Sequence, residues 1–302
     1  MSSRGWLLFA AMSLLWGIPY LFIKETVDSM TPVAMAVGRS LGGALLLLPF
    51  AIRRRALRPA LAQWRWVLLF GALEMALPFL LLGHAEQTLP SGTTGLLVAT
   101  VPLVATVIAV FRGDRAVLRP VRILGLLLGF AGVAVVVAGP GLISQPADLL
   151  AVGEVLLVAV CYATAPFIVA TKLAEVPSLG AVTLALTAVG FAYLPVVLLT
   201  PQSVPTLRSV ASLGALAVLC TAVAFIAFFA LIDEVGPARA PLFTYVNPLV
   251  AIALGVLLAG EELGAGLLIG FPLVIVGCWL AASGGRLRQP RDVGIPEPAP
   301  PL

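Results

Sequence analysis

Apolar residues run along this chain in long blocks, with polar residues confined to short joints between them. The blocks fall at 6–23, 33–51, 66–83, 91–111, 121–138, 150–170, 179–199, 210–232, 240–259 and 265–283. Most approach the ~20 residues that a helix rising ~1.5 Å per residue needs to cross ~30 Å of hydrocarbon. The pattern predicts an all-α integral membrane protein with ten transmembrane helices. Charge supplies the orientation. With the N-terminus in the cytoplasm, 15 of the 18 Lys and Arg fall on that side: Arg4, the Arg53–Arg65 cluster, the Arg112–Arg122 cluster, Lys172, Arg239 and the Arg286–Arg291 tail. Lys24 and Arg208 fall on the other side, and Arg39 lies within a span. The positive-inside rule then places both termini in the cytoplasm. It also checks the helix count, because losing one span would put the later clusters on the wrong side.

Composition agrees. The chain is 61% hydrophobic and 11% charged, against about 45–50% and about 25% in soluble domains. The basic balance reads as orientation and contact with anionic lipid. No basic stretch is interleaved with aromatics as a nucleic-acid groove requires. The first block follows Arg4 as a signal peptide would. However, it is long, contains Trp16, Gly17 and Pro19, and lacks a small-x-small site after it, so it reads as a retained first helix. Cys161, Cys220 and Cys278 lie inside apolar blocks with no metal-ligand spacing, and no cofactor or metal is expected. The tail from 286 to 302 is rich in proline and is expected to be a disordered cytoplasmic end.

The chain is written twice, at an offset near 146. Trp16 matches Tyr162, Pro49 matches Pro195, Glu86 and Pro90 match Asp233 and Pro237, and Pro102 matches Pro248. Gly113-Asp114 matches Gly260-Glu261, and Gly125, Gly132 and Gly139 match Gly270, Gly277 and Gly284. The seven-residue glycine spacing puts each triplet on one helix face, where a neighbour can approach closely. The expected units are 1–139 and 140–285, each with five helices. Five is odd, so the second copy must thread the membrane in the opposite sense. Inverted repeats of this kind give one site two quasi-equivalent access routes and characterise secondary transporters. Pro78, Pro102, Pro166, Pro248 and Pro272 all fall inside apolar blocks. Each removes a backbone hydrogen bond, which hydrocarbon tolerates only against protein or a wet cavity. Pro78, Pro102, Pro166 and Pro248 are taken as helix breaks, and the Pro102–Pro248 pair is repeat-equivalent.

These residues resemble the drug/metabolite transporter superfamily in its ten-helix EamA form, over about 5–284. The motifs are Leu15-Trp16-Gly17 with Lys24, Pro32 with Gly38-Arg39, Thr100-Val101-Pro102-Leu103 before Gly113-Asp114, and Asn247-Pro248-Leu249-Val250 before Gly260-Glu261. Two departures are Asp114 where the family usually has Glu, and Ser40 where an aromatic usually follows the arginine. The resemblance implies export of small metabolites from a bacterial cytoplasm, often amino acids, sometimes purines or toxic cations.

Several residues can carry such chemistry. Arg39 lies about seven residues into the second helix, roughly 10 Å deep. A charge there needs a partner or a wet cavity, so it reads as a carboxylate contact for substrate, a gating ion pair, or a fixed structural pair. Glu74, about eight residues into the third helix, can carry a proton or bridge to a basic residue. Its repeat counterpart is Thr221. Trp16, Tyr162, Phe225, Phe243 and Tyr245 can stack on a flat or apolar substrate or simply pack. Asn247 with Thr244 beside Pro248, and Thr100 beside Pro102, offer polar contacts at mid-depth. Lys24, His84, Glu86 and Glu154 lie near span ends, where they can gate or couple protons, or stay solvated. Protons are accordingly a candidate coupling ion. A monomer suffices, and whether two copies associate through the glycine faces stays open.

Enzyme readings find little. Gly38-Arg39-Ser40-Leu41-Gly42 matches G-x-S-x-G but lies inside an apolar helix, without the strand–turn–helix setting that motif needs. There is one histidine, so no HExxH, and there is no P-loop. Asp28, Asp114, Asp148 and Asp233 all sit near span ends. Two classes remain: a metabolite exporter working by alternating access, and a passive channel or facilitator. The scattered polar groups do not make the continuous polar path a channel needs.

Overall fold

The computed structural model describes residues 2–111, 113, 119–139, 142, 143, 145–236 and 240–283. Asp114, Arg239 and the proline-rich tail lie outside them. Among the described residues, nine helices are long and apolar enough to cross a membrane. They are α1 (Ser3–Val27), α2 (Pro32–Arg53), α3 (Trp64–Ala85), α4 (Ser91–Phe111), α5 (Pro120–Val137), α6 (Asp148–Lys172), α7 (Ser178–Leu199), α8 (Leu207–Val235) and α10 (Ala265–Ala282). The tenth expected span is shorter: α9 (Asn247–Ala259) follows a 3₁₀ stretch at Ala240–Tyr245. Exposed apolar side chains such as Leu45, Leu127, Leu198 and Leu257 cover the outside of the bundle, as a lipid-facing surface requires.

Local chemistry sets the helix ends. The Ser2, Thr31 and Thr206 hydroxyls accept from backbone N–H groups three residues on, at 3.0, 3.2 and 3.2 Å, which satisfies donors with no helical partner. Gly260 ends α9 at φ 67°, a conformation that favours glycine. α1 is broken at Trp16–Ile18, just before Pro19. α4 is broken at Ala99–Thr100, just before Pro102, and α9 starts afresh beside Pro248. The paired break therefore exists in both repeats. Pro166 is different: the helix runs unbroken from Pro146 to Lys172, so the expected break is absent there. The proline still leaves one carbonyl, that of Tyr162, without its helical donor.

One symmetry has no sequence motif behind it. α3 contains a π-helical turn at Ala72–Ala76 and α8 one at Val218–Val223, the same place in each repeat. Pro78 follows directly as the α-helix resumes. Such turns are rare and concentrate at functional positions.

The principal interfaces join the two repeats: α5 with α10, α2 with α7, α3 with α6, α1 with α8, and α4 with α9. Each pair joins equivalent helices or maps onto another pair when the repeats are exchanged. The glycine stripes serve α5 and α10. A Cβ on Gly277 would lie 2.3 Å from the Gly129 nitrogen, and one on Gly125 2.4 Å from the Ala281 nitrogen. These faces are spent within the chain and are not available to a second copy. Lys24, Glu86, Arg208 and Glu261 lie on one face of the bundle, the far face, and Ser2, Arg53–Arg65 and Lys172 lie on the opposite, N-terminal face.

Candidate functional site

Arg39 on α2 is 7% exposed and is the centre of a polar cluster between the repeats. Its Nε donates to Thr221 Oγ1 in the π turn of α8 at 3.1 Å. Its guanidinium lies over the Phe79 ring of α3, 3.9 Å from the centroid. Among the described residues, no carboxylate pairs with it. The guanidinium thus has one donor committed and its terminal nitrogens uncommitted. Tyr162 of α6 is within electrostatic reach of both Arg39 and Glu74, and Tyr20 of α1 is within reach of Arg39. Glu74 sits in the π turn of α3, half-buried, with no hydrogen bond or ion pair among the described residues. Of the residues expected from the sequence, Arg39 and Thr221 are joined by a hydrogen bond and Tyr162 lies within electrostatic reach of Arg39 and of Glu74, while no hydrogen bond or ion pair joins Arg39 to Glu74 among the described residues.

An aromatic wall stands beside this cluster. Trp16 packs edge-on against Phe225 (5.7 Å between centroids) and tilted against Phe228 and Phe243 (5.0 and 5.4 Å). Phe225 stacks on Phe229 at 6.1 Å. Phe243 is fully buried. Trp16 and Phe225 were expected. Phe228 and Phe229 were not, because nothing in an apolar run of α8 tells a wall residue from a lipid-facing one.

Two other expected contacts are already committed within the chain. The Asn247 amide, oriented with its nitrogen toward the carbonyls, donates to Phe243 at 3.1 Å and Ser13 at 3.3 Å. It ties α9 to α1 across their broken ends. The Thr100 hydroxyl donates to the Leu97 carbonyl at 2.6 Å, satisfying the break in α4. Tyr245 lies within electrostatic reach of Cys278 on α10.

Polar ties cross the far face. Lys24 Nζ donates to the carbonyls of Leu89 (2.9 Å) and Glu86 (3.3 Å), closing the end of α3. His84 Nδ1 and Glu154 Oε2 are 2.8 Å apart, joining α3 to α6. Arg208 pairs with Glu25, which also accepts from the Ser212 hydroxyl at 2.9 Å, joining α1 to α8. The Glu261 carboxylate accepts from the backbone N–H groups of Ser91 (2.7 Å) and Gly92 (3.1 Å), capping the N-terminus of α4 from the end of α9. An anion is favoured there by the helix dipole. Glu25, Arg208 and Glu261 were not singled out as site residues, although the Gly260-Glu261 motif marked the last. Glu86 stands apart. It lies one residue beyond the end of α3, is 1% exposed, and neither carboxylate oxygen has a hydrogen-bond partner among the described residues. Burial pushes its carboxyl well above the usual carboxylate range. Glu261 adds to that, while Lys24 and Arg39 pull the other way.

The N-terminal face carries counterparts. Glu234 at the end of α8 accepts from the Ser2 hydroxyl and lies 3.9 Å from Arg4 at the start of α1. Lys172 at the end of α6 lies 5.0 Å from the Trp66 ring centre at the start of α3. Both ends of the α1–α8 and α3–α6 pairs are therefore tied.

Known proteins match this architecture. The EamA-like transporter family matches residues 3–138 and 149–283. The chain is 29% identical to the "uncharacterized inner membrane transporter YedA" of Escherichia coli K12, over 95% of this chain and 93% of the relative. It is 27% identical to the "uncharacterized transporter YvbV" of Bacillus subtilis, over 98% and 97%. It is 26% identical to "Protein PecM" of Dickeya dadantii, over 84% of each. A solved crystal structure superposes with a TM-score of 0.64 at 21% identity, over 94% of this chain and 98% of that one. That likeness shows the fold.

Proposed function

Because this chain belongs to the EamA-like transporter family, we propose that it is a secondary transporter of the bacterial inner membrane that exports small zwitterionic metabolites, chiefly amino acids with apolar or aromatic side chains. A transport role follows from the family; the substrate class and direction are the proposal. One observation supports it: the buried Arg39 guanidinium spends one donor on Thr221 and has no carboxylate partner among the described residues, while the Tyr162 phenol lies within electrostatic reach of both Arg39 and Glu74. A lone buried cation is costly in a membrane protein unless something pairs with it. Arginine presents a planar fork that takes a carboxylate in bidentate fashion. A substrate carboxylate on Arg39 with its ammonium toward Glu74 would neutralise both. The Trp16–Phe225–Phe228 wall would then receive the side chain. None of these groups needs to make or break a covalent bond.

Access alternates by rocking the halves about the fixed cluster, as the repeat symmetry suggests. The helix pairs are tied at both faces, and the near-complete burial of Glu86 is what supports a closed far route. Glu86 is the coupling group: its buried, unpartnered carboxylate is compatible with closure when it holds a proton. The positive-inside count supports placing both termini in the cytoplasm, so the far face is the exterior.

The test is counterflow of labelled L-phenylalanine, L-leucine and adenine in proteoliposomes containing the purified chain. The expected result is amino-acid exchange that an imposed proton gradient accelerates and that Arg39→Gln or Glu74→Gln removes. Flux unchanged in both variants would overturn the site, and flux indifferent to the gradient would identify a facilitator.

A further inference from the structure

The end of α2, the joint after it and the start of α3 carry Arg53, Arg54, Arg55, Arg58 and Arg65, all exposed and all without an ion pair or hydrogen bond from the side chain among the described residues. The chain offers them no local counter-charge, because no Asp or Glu occurs between Asp28 and Glu74. The segment is nevertheless rigidly built. A short helix, Leu57–Ala62, lies within it. Ala56 and Ala60 are buried, and Ala56 fits so closely on α7 that a Cβ on Gly180 would lie 2.0 Å from its carbonyl oxygen. Arg55 takes a left-handed backbone conformation, φ 52°, which is rare for a side chain of its size. That turn places it beside Arg58 on the rim of a groove of about 640 Å³. Ile52, Leu57 and Pro59 line its apolar wall. Ile52 belongs to α2 and is exposed, as are Phe50, Leu61 and Trp64 of the same segment.

We infer that this groove binds an anionic phospholipid, its headgroup phosphate between Arg55 and Arg58 and an acyl chain along the Ile52–Leu57 wall. Charge complementarity calls for an anion, since two arginines and no carboxylate are among the residues that line the groove. The apolar wall calls for a ligand with a hydrocarbon part, because a free phosphate would leave it uncovered. The groove is also continuous with the lipid-facing surface of α2. A basic cluster at the membrane surface attracts anionic lipid in any case. The groove adds a defined seat, independent of the transport reading above.

Native mass spectrometry of the full-length protein in detergent tests this, with phosphatidylglycerol, phosphatidylcholine and inorganic phosphate as probes. Retention of phosphatidylglycerol over phosphatidylcholine is expected. Loss of about tenfold to thirtyfold in its affinity is expected for Arg55→Gln/Arg58→Gln, with little change for the neighbouring Arg53→Gln/Arg54→Gln. Should the first double variant fail to fold, Arg58→Gln alone must still weaken phosphatidylglycerol more than Arg53→Gln does. Equal loss in the two double variants would reduce the effect to diffuse charge and overturn the site. Equal retention of phosphatidylcholine, or displacement by inorganic phosphate, would also overturn it, the latter pointing to a soluble-anion site.

Discussion

Arg39 and Glu86 show how two buried charges in one chain are handled differently. Arg39 keeps its charge and spends one donor on Thr221 at 3.1 Å. Replacing that acceptor strands a buried donor of a charged group, at a cost of about 1.5–3 kcal/mol. Thr221→Val is therefore expected to lower the thermal midpoint of the purified protein, and Thr221→Ser to restore it; equal midpoints for all three would show that Arg39 does not depend on this bond. Glu86 instead has no donor for either oxygen. Burial raises its proton affinity in the closed form above that of an ordinary carboxyl near 4.3. Below that ordinary value both forms carry the proton and closure is at its most favourable. As the pH climbs toward the raised value, opening releases a proton, so closure weakens with increasing pH. Tyr20, Lys24, Arg39 and Glu261 all act on the same carboxyl or are acted on by it, so the dependence belongs to the cluster with Glu86 as its proton site.

At the scale of helices, hydropathy and glycine spacing carried most of the information. The apolar blocks locate all the spans but α9 to within a few residues, because membrane solvation is read directly from composition; α9 starts seven residues late, after the 3₁₀ stretch at Ala240–Tyr245. The α5 and α10 stripes were legible as faces, and the structure pairs them with each other. Gly277→Val is expected to abolish the folded peak on size-exclusion chromatography, because its Cβ would meet the Gly129 backbone at 2.3 Å and no side-chain rotation relieves that. Gly153→Ala is the control, with nothing within 4 Å of the added carbon. It is expected to stabilise α6 by about 0.5–1 kcal/mol. Two features could not be read from the sequence. The π turns at Ala72–Ala76 and Val218–Val223 share no motif, since their geometry is set by packing at the repeat interface. The Glu25–Arg208 pair joins residues 183 positions apart, and pairing over such a distance is decided by the fold. Pro166 erred in the other direction, since a proline can be carried inside a long helix when neighbours pack around the freed carbonyl.

Taken whole, the molecule is two five-helix repeats whose principal contacts run between them, with Arg39, Glu74 and Tyr162 at the join. In the proposed mechanism this join is reached from one face at a time, and the proton on Glu86 sets which. Electron–electron resonance distances between spin labels test it most directly, in a background with Cys161, Cys220 and Cys278 replaced by alanine. One pair, Gln87→Cys with Glu262→Cys, spans the far face; the other, Gln63→Cys with Asp233→Cys, spans the N-terminal face. On raising the pH, the far pair is predicted to lengthen while the other shortens, and Glu86→Gln is predicted to hold both at their low-pH values. Distances that stay fixed, or that move in the same direction at both faces, would contradict the account.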